Sequence, residues 1–301
     1  GPVWLRSFAQ GRRGCARMGQ ADRTSDDGAP APSSDIRHQI RTFSFGAGVQ
    51  STACLVLAAH GKIDFSIFCF ANTGDEHPST YKYLDEVLDP YAKEHGLEIR
   101  RLKRTWRDGS QRSIREHIDI IPKSIPIPVY LESGKPWKRS CTASWKIDVL
   151  AKHQKEMGAT PDNKAVAGLG ISLDEIQRAR TDSGIKWQTL EYPLLELKMT
   201  RRDCEKLTAD EGLPPAPRSA CFYCPYHSTS YFRTLAEEDP ELFAEAVVLE
   251  DKLNERSMIG LGSKVRLWRG GPLRTVTDQQ ELDFGDGDES ADSCDTGHCF
   301  T

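Results

Sequence analysis

The run Thr42-Phe43-Ser44-Phe45, then Gly46-Ala47-Gly48-Val49-Gln50-Ser51, then an apolar helical stretch from Thr52 to His60, constrains this chain most. A β-type segment that passes through a glycine-bearing bend into a helix is the opening unit of a βαβ fold. It is also an anion site on physical grounds. Gly46 and Gly48 let the backbone come close to a phosphate, and Ser51 and Thr52 add hydroxyl donors. The helix start supplies free N–H groups and a positive dipole end. An ordinary strand-to-helix turn is the plainer alternative. The bend lacks the Gly-Lys-Ser/Thr ending of the common nucleoside-triphosphatase loop and the G-x-G-x-x-G spacing of a dinucleotide turn.

The pattern then alternates. Phe65 to Phe70 reads as a buried strand, and Pro78 opens a helix with Tyr81, Leu84, Leu88 and Tyr91 on one face, ending before Gly96. Leu97 to Leu102 and Lys164 to Gly168 are further strands, with Thr189 to Leu194 as a fifth. The expected fold is α/β, a doubly wound and mostly parallel sheet with a C-terminal helical subdomain. The organisation expected is a flexible tail over 1–40, a nucleotide-binding domain over 41–200, a helical cysteine-containing subdomain over 201–280 and an acidic tail over 281–301. A capping-box pattern at Thr200–Asp203 and a helix start at Asp239-Pro240 mark the third part.

No run approaches the ~20 apolar residues that cross a bilayer, so a membrane-spanning protein is not expected. Without an export signal, the expected location is cytoplasmic. The net charge of −4 hides an asymmetry. From Arg100 to Lys146 there are 12 Lys/Arg against 4 Asp/Glu, interleaved with Trp106, Tyr130 and Trp137, whereas 281–295 holds 7 acids and no base. The basic stretch suggests a nucleic acid or a small anionic nucleotide, or else a solvated loop.

The chain has 9 cysteines, and a reducing compartment argues against disulfides. Cys54 and Cys69 read as small core residues. Cys221-Phe222-Tyr223-Cys224 is a C-x-x-C turn, which points two thiolates at one metal, with Cys141 upstream and His227 just beyond. Cys141, Cys221, Cys224 and His227 would make a tetrahedral zinc set. An iron–sulfur cluster and a metal-free redox pair are the other readings.

Ser44 to Ser51 resembles the PP-loop of ATP pyrophosphatases and phosphoadenosine-phosphosulfate reductases, whose fold is of the adenine nucleotide α hydrolase type. Phe70 to Glu76, with Thr73-Gly74, resembles the family's second strand end beside the nucleotide. Gly168 to Glu175, with Gly170, Ser172, Asp174 and Arg178, resembles its later glycine-rich motif. One departure is Gln50, where many PP-loops carry Asp. The resemblance implies attack at the α-phosphate of ATP, with Mg²⁺ and pyrophosphate release. Ser44, Gly46, Gly48, Gln50, Ser51 and Thr52 would hold the phosphates, and Thr73, Gly74, Gly170 and Ser172 would complete the pocket. Ser51, Asp174 and Arg178 would serve the chemistry. Cys141, Cys221 and Cys224 would carry a [4Fe–4S] cluster with one open iron, or Zn²⁺, for sulfur transfer. Cys294 and Cys299 loosely resemble the mobile C-terminal thiol of the family's reductases, which implies sulfonucleotide reduction as the alternative activity. A zinc-stabilised nucleotide- or nucleic-acid-binding module is a second alternative. The implied partners are a nucleotide or nucleic-acid substrate and a sulfur-donor protein or thiol reductant, and a homodimer is compatible with this.

Overall fold

The computed structural model describes residues 39–121, 125–255 and 264–278. The segment expected to be a flexible tail, up to residue 38, and the acidic segment with Cys294 and Cys299 lie outside the described residues. The described strands are β1 (Arg41–Phe45), β2 (Ile67–Asn72), β3 (Glu98–Lys103), β4 (Tyr130–Leu131), β5 (Ala165–Leu169), β6 (Gln188–Glu191) and β7 (Val265–Arg266). The helices are α1 (Val49–Ala59), α2 (Pro78–Tyr83), α3 (Asp89–Glu94), α4 (Ile114–Ile120), α5 (Asp148–Glu156), α6 (Pro193–Glu196), α7 (Arg201–Asp210), α8 (Thr229–Glu238) and α9 (Pro240–Glu255). None of them is long and apolar enough to cross a membrane.

Five strands form one sheet in the order β3-β2-β1-β5-β6, and every pairing in it is parallel. Both faces are covered, as parallel strands require. Phe43, Phe45, Phe68 and Phe70 face one way and share a core with α1, while Cys69 and Ala71 face the other way and pack on Leu150 of α5. Gly168 in β5 is where the aromatic layer presses on the backbone. A Cβ there would stand 2.5 Å from the Phe43 ring and 2.7 Å from Phe65. The chain runs outward from β1 to β3 and then returns to the other side of β1 as β5. The strand order therefore reverses between β1 and β5, the place where open α/β sheets bind ligands.

Two local expectations change. The single helix over 78–95 is α2, a π-helical segment at Leu84–Leu88, and α3. Pro90 lacks an amide hydrogen and its ring crowds the preceding turn, which widens there. The fifth strand ends at Glu191, because Pro193 opens the short helix α6.

A second core lies beyond the carboxyl ends of β2 and β3. Ile114 and Ile118 of α4 and Trp145 meet Phe222, Tyr223, Phe232, Leu249 and Leu267. Glu250 of α9 fixes the last described segment, accepting from Leu267 N (2.7 Å) and Leu273 N (2.8 Å). Helix α7 belongs to the first core instead, where Cys204 packs with α1.

Candidate functional site

The bend after β1 is shorter than the sequence suggests, since α1 starts at Val49 and not at Thr52. Ala47 sits at φ 61°, a left-handed conformation uncommon for a residue with a side chain, and Gly48 is extended. Gly48 has no side chain with which to cap α1, and its carbonyl accepts from Thr52 N (2.9 Å) and Ser51 Oγ (3.0 Å). The first-turn amides of α1 therefore have no side-chain cap, which is the electrostatics of an anion site. The bend is closely covered. Gly46 is half-buried, Ala47 to Ser51 are buried, and Thr52 is fully buried.

The loop after β5 lies against this bend. A Cβ on Gly170 would stand 3.4 Å from Ser51 N and from Gln50 C. Gln50, the departure from the PP-loop pattern, spans three elements: its Nε2 reaches Ser172 Oγ (3.5 Å) and its Oε1 accepts from Arg201 Nη1 (3.3 Å). Asp174 accepts from Arg201 N (2.8 Å) at the start of α7, and Arg178 pairs with Glu175 at 2.6 Å. Burial lowers the Arg178 guanidinium and raises the Glu175 carboxyl. Arg178 and Ser44 also line a cavity of about 70 Å³ between the sheet and α5. The Ser44 hydroxyl is buried without a hydrogen-bond partner among the described residues. Asp75, within the Phe70 to Glu76 segment, is taken up by internal partners. It accepts from Arg115 N (2.8 Å), Arg115 Nε (2.7 Å) and Tyr223 OH (3.0 Å).

The cysteine-bearing segment crosses the carboxyl ends of β1 and β2. Ser219 Oγ donates to the Gly46 carbonyl, His77 N donates to Ala220 O (3.0 Å), and Phe222 N donates to Asp75 O (3.3 Å). Thr73 Oγ1 lies 3.6 Å from Cys221 Sγ. Cys141 stands at the start of a π-helical segment, Thr142–Ile147, which also carries the inward-facing Lys146. Cys141, Cys221 and Cys224 line one cavity of about 20 Å³ together with Thr73, Arg139 and Lys146. That is room for one or two atoms the size of a water oxygen.

Lys146 is buried and pairs with Glu76 at 3.2 Å. Burial pulls its ammonium down, but the Glu76 carboxylate beside it outweighs this and raises it. Burial raises all three thiols, Cys224 to about 12, so they are neutral without a bound cation. His227 is not part of this cavity lining. Its Nε2 bonds Cys221 O at 2.9 Å, its ring stacks on Tyr231 at 3.5 Å, and burial pushes it down to about 3.

No three His, Cys, Asp or Glu side chains among the described residues stand in a metal-holding geometry as they lie. The chemistry of the donors still suits a soft metal. Three thiols share a cavity, two cations face it to balance thiolate charge, and ligation is what ionises such buried sulfurs.

Much of the basic segment is neutralised internally. Arg100 pairs with Glu98 (2.8 Å), Arg101 with Asp85 (2.6 Å) and Asp89, Arg112 with Asp108, and Arg115 with Asp75. The interleaved aromatics serve the same end, since Arg104 lies over Trp106 (4.3 Å) and Trp145 (5.0 Å). Sequence reading missed Ser219, Lys146, Glu76 and Arg201. Two of them were within reach of a motif: Glu76 ends the Phe70 to Glu76 segment, and Ser219 lies two residues before Cys221. No protein-family model matches the chain, and no match is found among curated proteins.

Proposed function

We propose that this chain is a PP-loop-type ATP pyrophosphatase of the adenine nucleotide α hydrolase type that transfers sulfur to an acceptor oxygen site. The observation that carries the reading is the docking of one segment on two features. Ser219 is fastened to Gly46 of the bend, and Cys221, two residues on, touches Thr73 at the end of β2. Groups suited to phosphate and groups suited to sulfur thus share one edge of the sheet.

In this reading the acceptor's carbonyl oxygen attacks the α-phosphorus of Mg²⁺-bound ATP. The α–β bridging P–O bond breaks and its electron pair leaves with pyrophosphate. Hydrosulfide-level sulfur, HS⁻ delivered by a donor protein, then attacks the activated carbon, and its remaining proton is lost to solvent as the C=S bond forms. The C–O bond breaks, and AMP departs with the oxygen. The chain's share is positioning and charge. The first-turn amides of α1 and the Gly46–Gly48 backbone would face the phosphates, which requires the buried bend to open from its cover. Gly170 keeps the opposing loop close to the bend, and Gln50 and Arg201 lock that loop in register. The Ser44 and Arg178 donors look into the cavity beside β5. Cys141, Cys221 and Cys224 would hold a single Zn²⁺ in the cavity as it stands, or a [4Fe–4S] cluster only with that cavity opened, and either group when bound would supply a Lewis-acidic position for sulfur.

The test is pyrophosphate release by metal-replete protein with Mg·ATP and a panel of acceptors. Turnover that requires the three cysteines supports the reading. No turnover with any acceptor, with metal content intact, overturns it. Sulfite release from a phosphosulfate without ATP would establish sulfonucleotide reduction instead.

A further inference from the structure

A cleft of about 720 Å³ lies between α4 and α9, outside the carboxyl ends of β2 and β3. Its volume is that of a small-molecule site. Its floor is the turn Asn72 to Asp75, and Thr73 of that floor also lines the cysteine cavity. Thr73 is itself buried, so its one side chain separates this floor from Cys221. A second partition joins the two spaces. The Asp75 side chain is fully buried and holds Arg115 on the cleft side and Tyr223 on the thiol side.

The charge of this cleft is informative. Its lining has four cations and five carboxylates. Three of the cations are already engaged: Arg115 with Asp75 and Glu245, Lys252 with Asp119 (3.1 Å), and Arg112 with Asp108. Carboxylates stand on both walls, Glu116 and Asp119 from α4 and Glu241 and Glu245 from α9. A polyphosphate backbone needs a row of disengaged cations, which these walls do not offer, and the same ion pairs that occupy Arg115 and Lys252 also neutralise Glu245 and Asp119. A small uncharged molecule that forms hydrogen bonds needs no such row.

Resting on the sulfur-transfer reading above, we propose that this cleft is the acceptor pocket. We further propose that the acceptor is a free, uncharged, amide- or lactam-bearing molecule of nucleoside size, and not a nucleic-acid strand. Its activated carbonyl lies on the Thr73 floor.

The test is equilibrium binding to the full chain with its metal, in the presence of a non-hydrolysable ATP analogue. The probes are uridine, guanosine and a single-stranded oligonucleotide. Two variants fill the cleft from exposed positions on α9, Ala244→Trp and Val248→Trp, and each is checked for an unchanged melting temperature. At least one nucleoside is expected to bind the parent protein and to lose about tenfold or more in affinity in both variants. The oligonucleotide is expected to bind more weakly than that nucleoside at physiological salt. No nucleoside binding, equal binding by both variants, or tighter binding of the oligonucleotide overturns the proposal. Binding of the ATP analogue is measured separately. Its absence counts against the phosphate-loop reading, whereas its presence alongside a failed nucleoside result counts against the cleft alone.

Discussion

The hydroxyl of Ser219 donates to the main-chain carbonyl of Gly46, so the segment that carries Cys221 is fastened to the bend that opens α1. Under the proposed function, a nucleotide at that bend would act on a group two residues from a thiol. Ser219→Ala removes one part-buried hydrogen bond and is expected to cost about 1 kcal/mol in urea unfolding. It is also expected to uncouple the two sites. In the parent protein without metal, an ATP analogue should change the rate at which Cys221 is alkylated. In Ser219→Ala that change should shrink, with Ser219→Thr restoring it. Equal responses in all three proteins would show that the fastening transmits nothing.

Gly74 tests the floor shared by the cleft and the thiol cavity. It has φ 81°, and a Cβ there would stand 2.5 Å from the Cβ of Ser113, the residue that caps α4. Gly96 has a similar φ of 70°, and a Cβ there would meet nothing within 4 Å. Gly96→Ala should therefore cost only the left-handed penalty, about 1–2 kcal/mol. Gly74→Ala should cost that plus a displacement of Ser113, for a total of about 3 kcal/mol or more. Urea midpoints for the pair read the difference, and equal losses would mean that the α4 cap yields freely.

The sheet was legible because its signals are local. Phe65 to Phe70 is a mainly apolar run of strand length, Thr42 to Phe45 alternates hydroxyl and aromatic residues, and the glycines between elements fall where the chain turns. The cysteine grouping was legible in part, since C-x-x-C is a local motif and Cys141 was added by resemblance. The roles of the acids were not, because their partners are remote. Asp75 is held by Arg115, 40 residues on, and Asp174 by the backbone of Arg201, 27 residues on. The pairing of the basic segment was not legible for the same reason. Counting charges along the chain cannot show that Arg101 lies beside Asp85 and Asp89, or that Lys146 lies beside Glu76.

The thiol cavity separates two ligand sets. Cys141→Ser, Cys221→Ser and Cys224→Ser should each lower the metal content of anaerobically purified protein, because all three line one space. Cys69→Ala, in the core against Leu150, should leave it unchanged. His227→Gln should also retain metal, since the imidazole Nε2 is taken by the Cys221 carbonyl. Elemental analysis with a visible absorption spectrum reads both content and kind. Retained metal in all three serine variants would remove the centre from the mechanism.

The end of α1 is tied to α7 by a pH-sensitive contact far from the thiols. His60 Nε2 meets Glu211 Oε2 at 2.8 Å, and Tyr91 OH donates to Glu211 Oε1 at 2.7 Å. Burial raises the Glu211 carboxyl, but the hydrogen bonds from His60 and Tyr91 outweigh it and hold the group below its ordinary value. A carboxyl depressed in the folded state binds fewer protons there than in the unfolded chain. Its contribution is therefore complete above the unfolded value, about 4.3, and is lost as pH falls through the folded one. Stability should drop on acidification below about pH 4.5, and the Glu211→Gln variant should show a shallower drop in that window. The contact is partly exposed, so the difference should also shrink in high salt. Urea midpoints measured for both proteins across that window, at low and high ionic strength, check the sign. A steeper drop in Glu211→Gln would mean that the carboxyl is not stabilised in its charged form.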